Sequence, residues 1–338
     1  LSLAFNIQPA KSEWTGTVYI RADGSIDPPD APITSYDNIT YTLIDNITSS
    51  ADGIVVERDN IVIDGDGYTL QGAGSLRGIV LSGRTNVTVQ NIQIQNFSYG
   101  IYLGWSSNYN SIAGNNITDN GRGIYLMRSL GNNTIIGNRI TNNYAGIWIY
   151  SGSNNTIFGN NIASNNVGIL LSYSSNNNIS GNNVTKSFGG IWLSNSYNNG
   201  IVGNNITNSY HGIWLQYSLN NSIAENIFVN GGLYVYDSYM IFVENNTVNG
   251  KPLVYLENEE DEIVENAGQI ILVRCNNIAV RNSECVNTDA GILLLEANNC
   301  SITDNIFFHN HHGIRLLNNS NNISTCSNSM AFRSILSK

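Results

Sequence analysis

The chain has 338 residues, of which only 12% are charged, and 15 lysines and arginines against 25 aspartates and glutamates give a net charge of −10 at pH 7. A chain of this charge repels polyanions, which excludes nucleic acid and argues against anionic polysaccharides held by bulk electrostatics. No stretch reaches the apolar length of a membrane span, so we expect no membrane insertion.

The first fifty residues precede the regular part of the sequence. Residues 1–10, which begin Leu-Ser-Leu-Ala-Phe, are typical of a signal-peptide remnant, with a short apolar strand as the alternative. Residues 11–50 contain two strand patterns around a Pro-rich turn, and they are predicted to form the N-terminal cap that a solenoid needs over its open end. We therefore expect an exported protein, either secreted and extracellular or held at the cell surface.

From residue 51 to residue 323 the sequence repeats every 22 to 23 residues. The phrase Gly-Ile-Tyr-Leu, Gly-Ile-Trp-Leu or a close variant marks the repeats. Its glycine returns at Gly78, Gly100, Gly123, Gly146, Gly168, Gly190, Gly212, Gly291 and Gly313. A period this short is that of a solenoid, and its clipped apolar segments are too short for paired helices. The prediction is an all-β fold, a single-stranded right-handed parallel β-helix of about 11–12 coils. Residues 324–338 lack the phrase and are predicted as a C-terminal cap or truncated end.

Asn is the commonest residue and occurs at fixed phases of each coil, as in the repeated phrase Gly-Asn-Asn-Ile. Stacked in register, the amide of one coil can donate to the next along a ladder spaced about 4.8 Å. Gly and Asn also accept the left-handed backbone that a coil corner needs. We therefore assign the Asn excess mainly to structure and look for function elsewhere.

An outward-facing position recurs between the two core-facing residues of the repeated phrase, because strand side chains alternate. The residues at this position are Tyr102, Tyr125, Trp148, Leu170, Trp192, Trp214 and Tyr234. The six aromatic residues form a stripe of roughly 29 Å. They are predicted to bind a neutral polysaccharide through ring stacking. Stacking of the rings on one another and self-association through this face are the alternatives.

The period breaks at about 250–268, where an insertion carries six carboxylates, Glu257, Glu259, Glu260, Asp261, Glu262 and Glu265. Departures from a repeat map to loops on one face, often the binding face. We expect this loop to overhang one end of the aromatic stripe, where its carboxylates would supply a general acid or bind calcium. A solvated acidic loop is the alternative.

Three candidate catalytic residues lie beside this loop. Asp237 and Glu296 stand at the fifth position after a repeat glycine, and Arg274 is predicted to fall between them if the coil at residue 268 keeps phase. The two carboxylates are predicted to lie two coils apart, roughly 9–10 Å. That separation suits an acid and a base around a water, as in inverting glycosidases. A surface salt-bridge ladder explains the same residues. The segment Asn287–Asp289 resembles Asn-Thr-Asp-Gly of polygalacturonases, but their other segments are absent and we treat the match as chance.

Cysteines and histidines are concentrated near the C-terminal end. Cys275 and Cys300 are about one coil apart, so they either bridge or remain buried free thiols. His309 and His311 are predicted to share one strand face and to hold copper or zinc with a third donor, with a solvated histidine turn as the alternative. His211 has the phase of a C-terminal histidine but is predicted to lie several coils away, too far to complete the site.

The sequence resembles a known β-helix group in three places. These are the segment 63–72 (Ile-Asp-Gly-Asp-Gly-Tyr-Thr-Leu-Gln-Gly), the tandem coils, and the stretch 249–256 followed by 267–272. The group is the NosD-type, or carbohydrate-binding and sugar-hydrolase, β-helix group of exported archaeal proteins, and the resemblance covers nearly the whole chain from about residue 50. It implies the β-helix fold. It implies no single activity, since the group mixes hydrolases, lyases, epimerases and proteins linked to copper-site maturation.

The leading hypothesis is therefore an extracellular polysaccharide-binding protein, and a glycoside hydrolase or lyase activity is a further hypothesis. A non-enzymatic surface or adhesion protein and a NosD-like copper-associated protein are the alternatives.

Overall fold

The computed structural model describes residues 14–129, 131–318 and 320–331. Within these residues the chain forms β-strands and no helix, in a parallel β-solenoid of about 13 turns with repeats about 22 residues apart. This confirms the predicted all-β parallel β-helix. The predicted signal-peptide remnant at 1–10 and the end of the 324–338 segment lie outside the described residues.

Residues 14–248 form a first coil stack, in which a typical coil adds one strand to each of three sheets. The strands of sheet 1 in this stack are Trp14–Thr15, Ile47–Ser49, Thr69–Gly72, Gln93–Gln95, Asn116–Thr118, Arg139–Thr141, Asn161–Ala163, Asn183–Thr185, Asn205–Thr207, Ile227–Val229 and Thr247–Val248. The strands of sheet 2 are Ile26–Asp27, Val18–Ile20, Ile54–Val56, Arg77–Val80, Tyr99–Gly104, Arg122–Met127, Ala145–Tyr150, Val167–Ser172, Gly189–Ser194, His211–Gln216 and Leu233–Tyr236. The strands of sheet 3 are Ile33–Thr34, Thr40–Leu43, Val62–Asp64, Thr88–Gln90, Ser111–Ala113, Thr134–Ile136, Thr156–Phe158, Asn178–Ser180, Gly200–Val202, Ser222–Ala224 and Phe242–Glu244.

The strands are short because each coil must turn three corners. In the three-residue strands of sheets 1 and 3 the central residue, usually Ile, is buried and its neighbours are more exposed, as in Asn116–Thr118. In the longer strands of sheet 2 the residues on both sides of the outward position point inward, as Ile191 and Leu193 do around Trp192. Stacking of equivalent residues from coil to coil fills the interior with columns of branched aliphatic side chains.

Buried Asn ladders run along the corners, as the sequence predicts. In one ladder the backbone N–H and side-chain amide of Asn160 both donate to Oδ1 of Asn182, at 3.0 and 2.9 Å, and Asn182 donates in the same way to Asn204. The Asn182 amide also donates to the carbonyl of Ile157 in the preceding coil, at 3.0 Å. The side chain of Asn182 thus satisfies buried backbone groups of its own coil and of the preceding one, which water cannot reach.

The chain reverses direction at Asn249–Gly250. The strand Thr247–Val248 pairs with Lys251–Glu257 in an antiparallel hairpin, and Lys251–Glu257 then pairs in parallel with the next strand of a second coil stack, residues 251–331. The segment predicted as an inserted loop at 250–268 therefore contains two strands. The strands that extend sheet 1 are Lys251–Glu257, Gln269–Val273, Ala290–Leu295 and His312–Leu317. Sheet 4 consists of Ile263–Glu265, Ala279–Arg281, Ser301–Thr303 and Ser324–Cys326, and sheet 5 of Glu284–Val286, Ile306–Phe308 and Ser329–Ala331.

The two middle strands of the extended part of sheet 1, Gln269–Val273 and Ala290–Leu295, are buried on both faces and separate two cores. Alternate residues such as Ile270 and Ile292 pack inside the second stack, while Ile271 and Leu293 join the core of the first stack. The second stack therefore covers the open end of the first. Strands buried on both faces read as continuous apolar runs, which is the pattern of Gln-Ile-Ile-Leu-Val and Ala-Gly-Ile-Leu-Leu-Leu here.

Gln269 joins the two stacks at the edge of sheet 2. Its side chain is wholly buried, Oε1 accepts a hydrogen bond from the backbone N–H of Leu233 at 2.9 Å, and Nε2 donates to the carbonyls of Leu233 and Ala290, each at 2.9 Å. The Gln269 amide thus makes the hydrogen bonds that the backbone of a further strand of sheet 2 would make. Without it, the edge strand would carry unpaired buried backbone groups.

The thiols of Cys275, Cys285 and Cys300 are free and buried, whereas Cys326 is exposed. Burial raises the pKa of all three buried thiols, that of Cys285 to about 12. Of the two outcomes expected for Cys275 and Cys300, the structure has the free thiols.

The Asn ladder can be tested by Asn182→Ala. We expect a loss of roughly 3 kcal/mol in the free energy of unfolding, because the backbone N–H of Asn160 and the backbone carbonyl of Ile157 lose the hydrogen bonds that the Asn182 side chain makes to them. The measurement is urea unfolding. Asn183→Ala is the matched control, since Asn183 makes only exposed amide contacts, and equal losses in the two variants would contradict the argument.

Gln269→Leu tests the junction. The leucine is of similar size but leaves three buried backbone groups unpaired, so we expect a loss on the order of 3–5 kcal/mol in urea unfolding. Gln216→Leu is the control, because Gln216 is half-buried on the outer face of sheet 2. An unfolding midpoint of Gln269→Leu equal to that of the control would show that the junction does not depend on this amide.

Candidate functional site

The outward row on sheet 2 exists in the predicted register. Backbone pairing aligns Tyr102 with Tyr125 and continues without a break through the positions Trp148, Leu170, Trp192, Trp214 and Tyr234. We call these seven residues the aromatic row. Strand alternation alone predicted the order of these residues and the outward direction of their side chains.

The two ends of the aromatic row are less exposed than predicted. Tyr102 and Tyr125 are each 9% exposed, and Tyr234 is 4% exposed. Tyr99 stacks on Tyr125 at 5.3 Å between ring centroids, and the Arg122 guanidinium lies 5.7 Å from the same ring. These neighbours come from the flanking position of the same strands, which alternation does not show. The accessible part of the row is therefore its middle.

The middle of the row has a notch. Trp148, Leu170, Trp192 and Trp214 are all half-buried. The indoles of Trp192 and Trp214 stack in parallel, with centroids 4.2 Å apart and 5° between planes, so the other face of Trp192 is turned toward the coil of Leu170. Because Leu170 is smaller than the indoles of the coils on either side, we infer a notch between Trp148 and Trp192. The indole N–H of Trp148 donates to the hydroxyl of Ser172, on the strand of Leu170, at 3.2 Å, so this indole leans toward the notch.

The last coils of the row meet the second stack. Asp289 Oδ2 lies 3.5 Å from Nδ1 of His211, and the side chain of Asp289 is completely buried. Among the described residues, neither oxygen of Asp289 has a hydrogen-bond partner, and the Nδ1 of His211 and the indole nitrogens of Trp192 and Trp214 also lack one. The guanidinium of Arg315 covers Tyr234 at 4.8 Å from the ring centroid. This cluster is held together by residues of both stacks.

His211 was predicted to lie several coils away from the C-terminal histidines, and this spacing is wrong, although among the described residues His211 completes no metal site with them. Its ring contacts Tyr210 at 4.5 Å, and Tyr210 contacts His311 at 5.0 Å. The distance estimate assumed one continuous stack, whereas the reversal at Asn249–Gly250 folds the second stack against the first.

A cleft of about 800 Å³ lies between the two stacks beside this cluster. It is lined by Asn208, Ser209, Tyr210, Asn230, Asn287, Thr288, Asp289, His309, Asn310 and His311. Burial, and then the charge of Asp289, raise the pKa of Tyr210, so its hydroxyl remains a hydrogen-bond donor at neutral pH. The cleft is thus polar and presents both donors and acceptors.

The predicted catalytic residues lie at corners, all with left-handed backbone, and they are paired with neighbours. Arg274 Nε donates to Glu296 Oε2 at 2.9 Å, and the hydroxyl of Tyr239 donates to Glu296 Oε1 at 2.8 Å. Asp237 accepts a hydrogen bond from the amide of Asn318. The hydrogen bond from Arg274, followed by that from Tyr239, lowers the pKa of Glu296, which favours the carboxylate over a general acid.

Arg315 lies over Tyr234, at the end of the aromatic row where the acidic insertion was expected. Glu257 accepts hydrogen bonds from the backbone of Met240 and Ile241 and from the hydroxyl of Tyr255. Glu265 pairs with Arg281 at 2.6 Å. These carboxylates therefore stabilise the second stack against its own coils and against the last coil of the first.

The predicted metal ligands are separated by the local backbone. His309 adopts a left-handed φ of 54°, and residues 309–311 form a corner between the strands Ile306–Phe308 and His312–Leu317. Strand alternation does not apply in a corner, so His309 and His311 do not share a strand face. In the described part of the chain, no three His, Cys, Asp or Glu side chains are placed to hold a metal ion.

Sequence reasoning missed Asp289 and His211 as a pair. The Asn-Thr-Asp segment could have pointed to Asp289. It was set aside because the other sequence segments of polygalacturonases are absent from this chain. His211 stands at the position before the repeat glycine, where earlier coils have Tyr99, Arg122, Ala145, Val167 and Gly189. A histidine at that position in the second-last coil of the stack was the available signal.

Comparison with solved structures gives the fold. The Dettilon tailspike protein (gp208) matches with a TM-score of 0.55 and 15% sequence identity, over 90% of this chain and 60% of the tailspike. Tailspike protein 2 from Escherichia coli O157:H7 bacteriophage CAB120 matches with a TM-score of 0.48 and 14% identity, over 71% of this chain and 35% of that one. The periplasmic alginate epimerase AlgG matches with a TM-score of 0.46 and 16% identity, over 88% of this chain and 80% of the epimerase. The chain thus spans well under two thirds of the length of either tailspike.

In the part of the chain that the structure describes, no helix is long and apolar enough to cross a membrane. No curated protein matches the sequence. The family model described as periplasmic copper-binding protein (NosD) matches residues 17–183, 59–247 and 239–335, and together these matches cover almost the entire sequence. The chain therefore belongs to the NosD family.

Proposed function

We propose that this protein is an exported glycan-binding β-helix that holds a neutral polysaccharide along the aromatic row. The observation that carries the proposal is the notch at Leu170 between the indoles of Trp148 and Trp192. Two coils separate these indoles, which is about 9.6 Å along the stack. A sugar ring between two aromatic groups needs two van der Waals contacts of about 3.5–4 Å each, or about 7–8 Å.

The chemistry of the notch suits a sugar. Its apolar surfaces match the C–H faces of a pyranose. The flanking positions carry Ser172 and Ser194, whose hydroxyls accept from the Trp148 indole and the Asn195 amide, each at 3.2 Å. The indole N–H of Trp192 has no partner among the described residues and offers a donor for a hydroxyl. A buried donor without a partner costs about 1–3 kcal/mol, which a bound hydroxyl group would recover. The net charge of −10 favours a neutral glycan over an anionic one.

Export is supported by the family description, which places its members in the periplasm. The same description names copper, but the donors of this chain do not fit a copper site. His309 and His311 lie in a corner, the buried thiols hydrogen-bond or pack inside the core, and no three metal-binding side chains converge within the described ranges. We therefore derive no step through copper.

Substitution of the row tests the proposal. Leu170→Trp fills the notch without disturbing the core, and Trp192→Ala removes its wall. In affinity electrophoresis against a panel of neutral polysaccharides, we expect the wild type to be retarded by at least one and both variants to lose most of that retardation. Phe158→Ala, which removes an exposed aromatic ring from sheet 3, should behave as wild type. Retardation that survives in Leu170→Trp would refute binding at the notch.

The corner carboxylates stay a prediction for catalysis on the bound glycan. Glu296, with its lowered pKa, would act as the base and Asp237 as the acid, with Arg274 positioning Glu296. Acid–base catalysis contributes about 10²–10⁴ in rate. Glu296→Gln and Asp237→Asn should each reduce turnover by at least about 100-fold. Full turnover in both variants would exclude these residues as the acid and the base, and a wild type without turnover would favour a protein that only binds.

A further inference from the structure

The cleft between the two coil stacks is built from facing corners. Asn208 and Asn230 are the last corners of one row in the first stack, and Asn287 and His309 are the corresponding corners of the second stack. All four residues have left-handed backbone, with φ between 51° and 54°. The reversal of the chain therefore brings two rows of identical geometry onto one cleft, although they are far apart in the sequence.

Three polar side chains of the cleft have no hydrogen-bond partner among the described residues. Within residues 14–129, 131–318 and 320–331, the side chains of Asn287, His309 and His311 make no hydrogen bond. By contrast, Asn310 is fully used, because it accepts from Thr288 at 2.9 Å and donates to the carbonyl of Cys285 at 2.7 Å. Asn310 thus holds the backbone of the cleft in place. The polar groups of Asn287, His309 and His311 are left available to a ligand.

Asp289 adds a second, independent observation. It lines the cleft, its side chain is completely buried, and neither carboxylate oxygen has a hydrogen-bond partner among the described residues. Nδ1 of His211 lies 3.5 Å from Asp289 Oδ2 without forming a hydrogen bond. A buried acceptor without a donor is costly, and such a group in a native structure calls for an explanation. A hydroxyl donor that enters the cleft would supply one.

The residues that line the cleft limit the chemical class of ligand that it can bind. No Lys or Arg is among its lining residues in the described part of the chain, which argues against phosphate or sulfate groups. Its lining groups are amides, imidazoles, hydroxyls and one carboxylate, which together donate to and accept from a polyol. At the rim, the exposed rings of Phe188 and Tyr210 stack in parallel with centroids 5.2 Å apart. Polar groups beside an aromatic wall are typical of sugar sites.

We propose that this cleft is a second carbohydrate subsite, which takes one neutral sugar unit and in which Asp289 accepts hydrogen bonds from its hydroxyls. The inference rests on the proposed glycan-binding function, because ring contacts connect the two places. Tyr210 contacts His211 at 4.5 Å, and His211 contacts Trp214 of the aromatic row at 4.6 Å. A glycan in the notch at Leu170 would reach the cleft after about two further coils, or about 9.6 Å.

The histidines provide a direct probe, since the chain has only four. Imidazole resonances in two-dimensional NMR are assigned with His309→Gln and His311→Gln, and the full chain is titrated with glucose, galactose, mannose and N-acetylglucosamine. We expect at least one of these sugars to shift the signals of His309 and His311 in a saturable way. If none of the four sugars shifts either signal, the cleft is not a sugar subsite.

Two variants test the contacts. Asn287→Gly removes the amide and keeps the left-handed corner, and Asp289→Asn removes the charge and keeps the shape. Each should weaken sugar binding about tenfold, the effect of losing one good hydrogen bond. Asn142→Gly is the control, because it makes the same change at the equivalent corner of a coil remote from the cleft. Unchanged affinity in Asn287→Gly and Asp289→Asn would overturn the assignment of these residues.

The two proposals fail in different ways. Leu170→Trp should abolish retardation by polysaccharide and leave the histidine shifts caused by monosaccharide intact, whereas Asn287→Gly should weaken the shifts. Retardation without histidine shifts would remove the cleft and keep the aromatic row. Histidine shifts in a protein that no polysaccharide retards would remove the row and keep the cleft as a separate sugar site.

Discussion

The structure depends on how the corners of each coil satisfy their buried backbone. A coil of three short strands turns at three corners, where N–H groups point inward and water cannot reach them. Asn can form hydrogen bonds with these backbone groups because its side chain carries an acceptor and two donors. Asn182 binds the backbone of the coil below and the Asn side chain of the coil above in one network. A residue added to or removed from a coil would take its Asn out of line, which holds the period near 22 residues and keeps outward side chains in straight rows.

The same requirement explains the junction. A coil stack has an open end, where backbone groups and aliphatic side chains would meet water. Here the second stack lays a sheet with two apolar faces across that end, and Gln269 supplies hydrogen bonds to the edge strand that another coil would supply. Covering the end brings Asp289 and Arg315 onto the last coils of the aromatic row. The polar cleft is therefore a consequence of how the solenoid is closed, and it forms where the repeated rows are interrupted.

Local patterns predicted the fold and the row but not the contacts between stacks. The Gly-Ile-Trp-Leu phrase was sufficient to place Trp148 and Trp192 on one outward row, because pleating and coil stacking are short-range effects. The burial of Tyr234 depends on Arg315, which belongs to the other stack and could not be read from the repeat. Alternation also failed for His309, since it lies in a corner. The apolar runs at 269–273 and 290–295 were the visible signs of a sheet buried on both faces, and they looked like further coils.

The parallel stacking of coils has a consequence for how such a chain changes length. Every coil is a unit of equal rise, about 4.8 Å, so the span between the gap at Leu170 and the inter-stack cleft takes only discrete values. Gain or loss of one 22-residue repeat between the notch and the cleft would lengthen or shorten the distance between them by one coil. Both sites would stay intact. Duplication of one repeat is a single genetic event, and it would change the distance between the notch and the cleft by one coil without altering the residues of either.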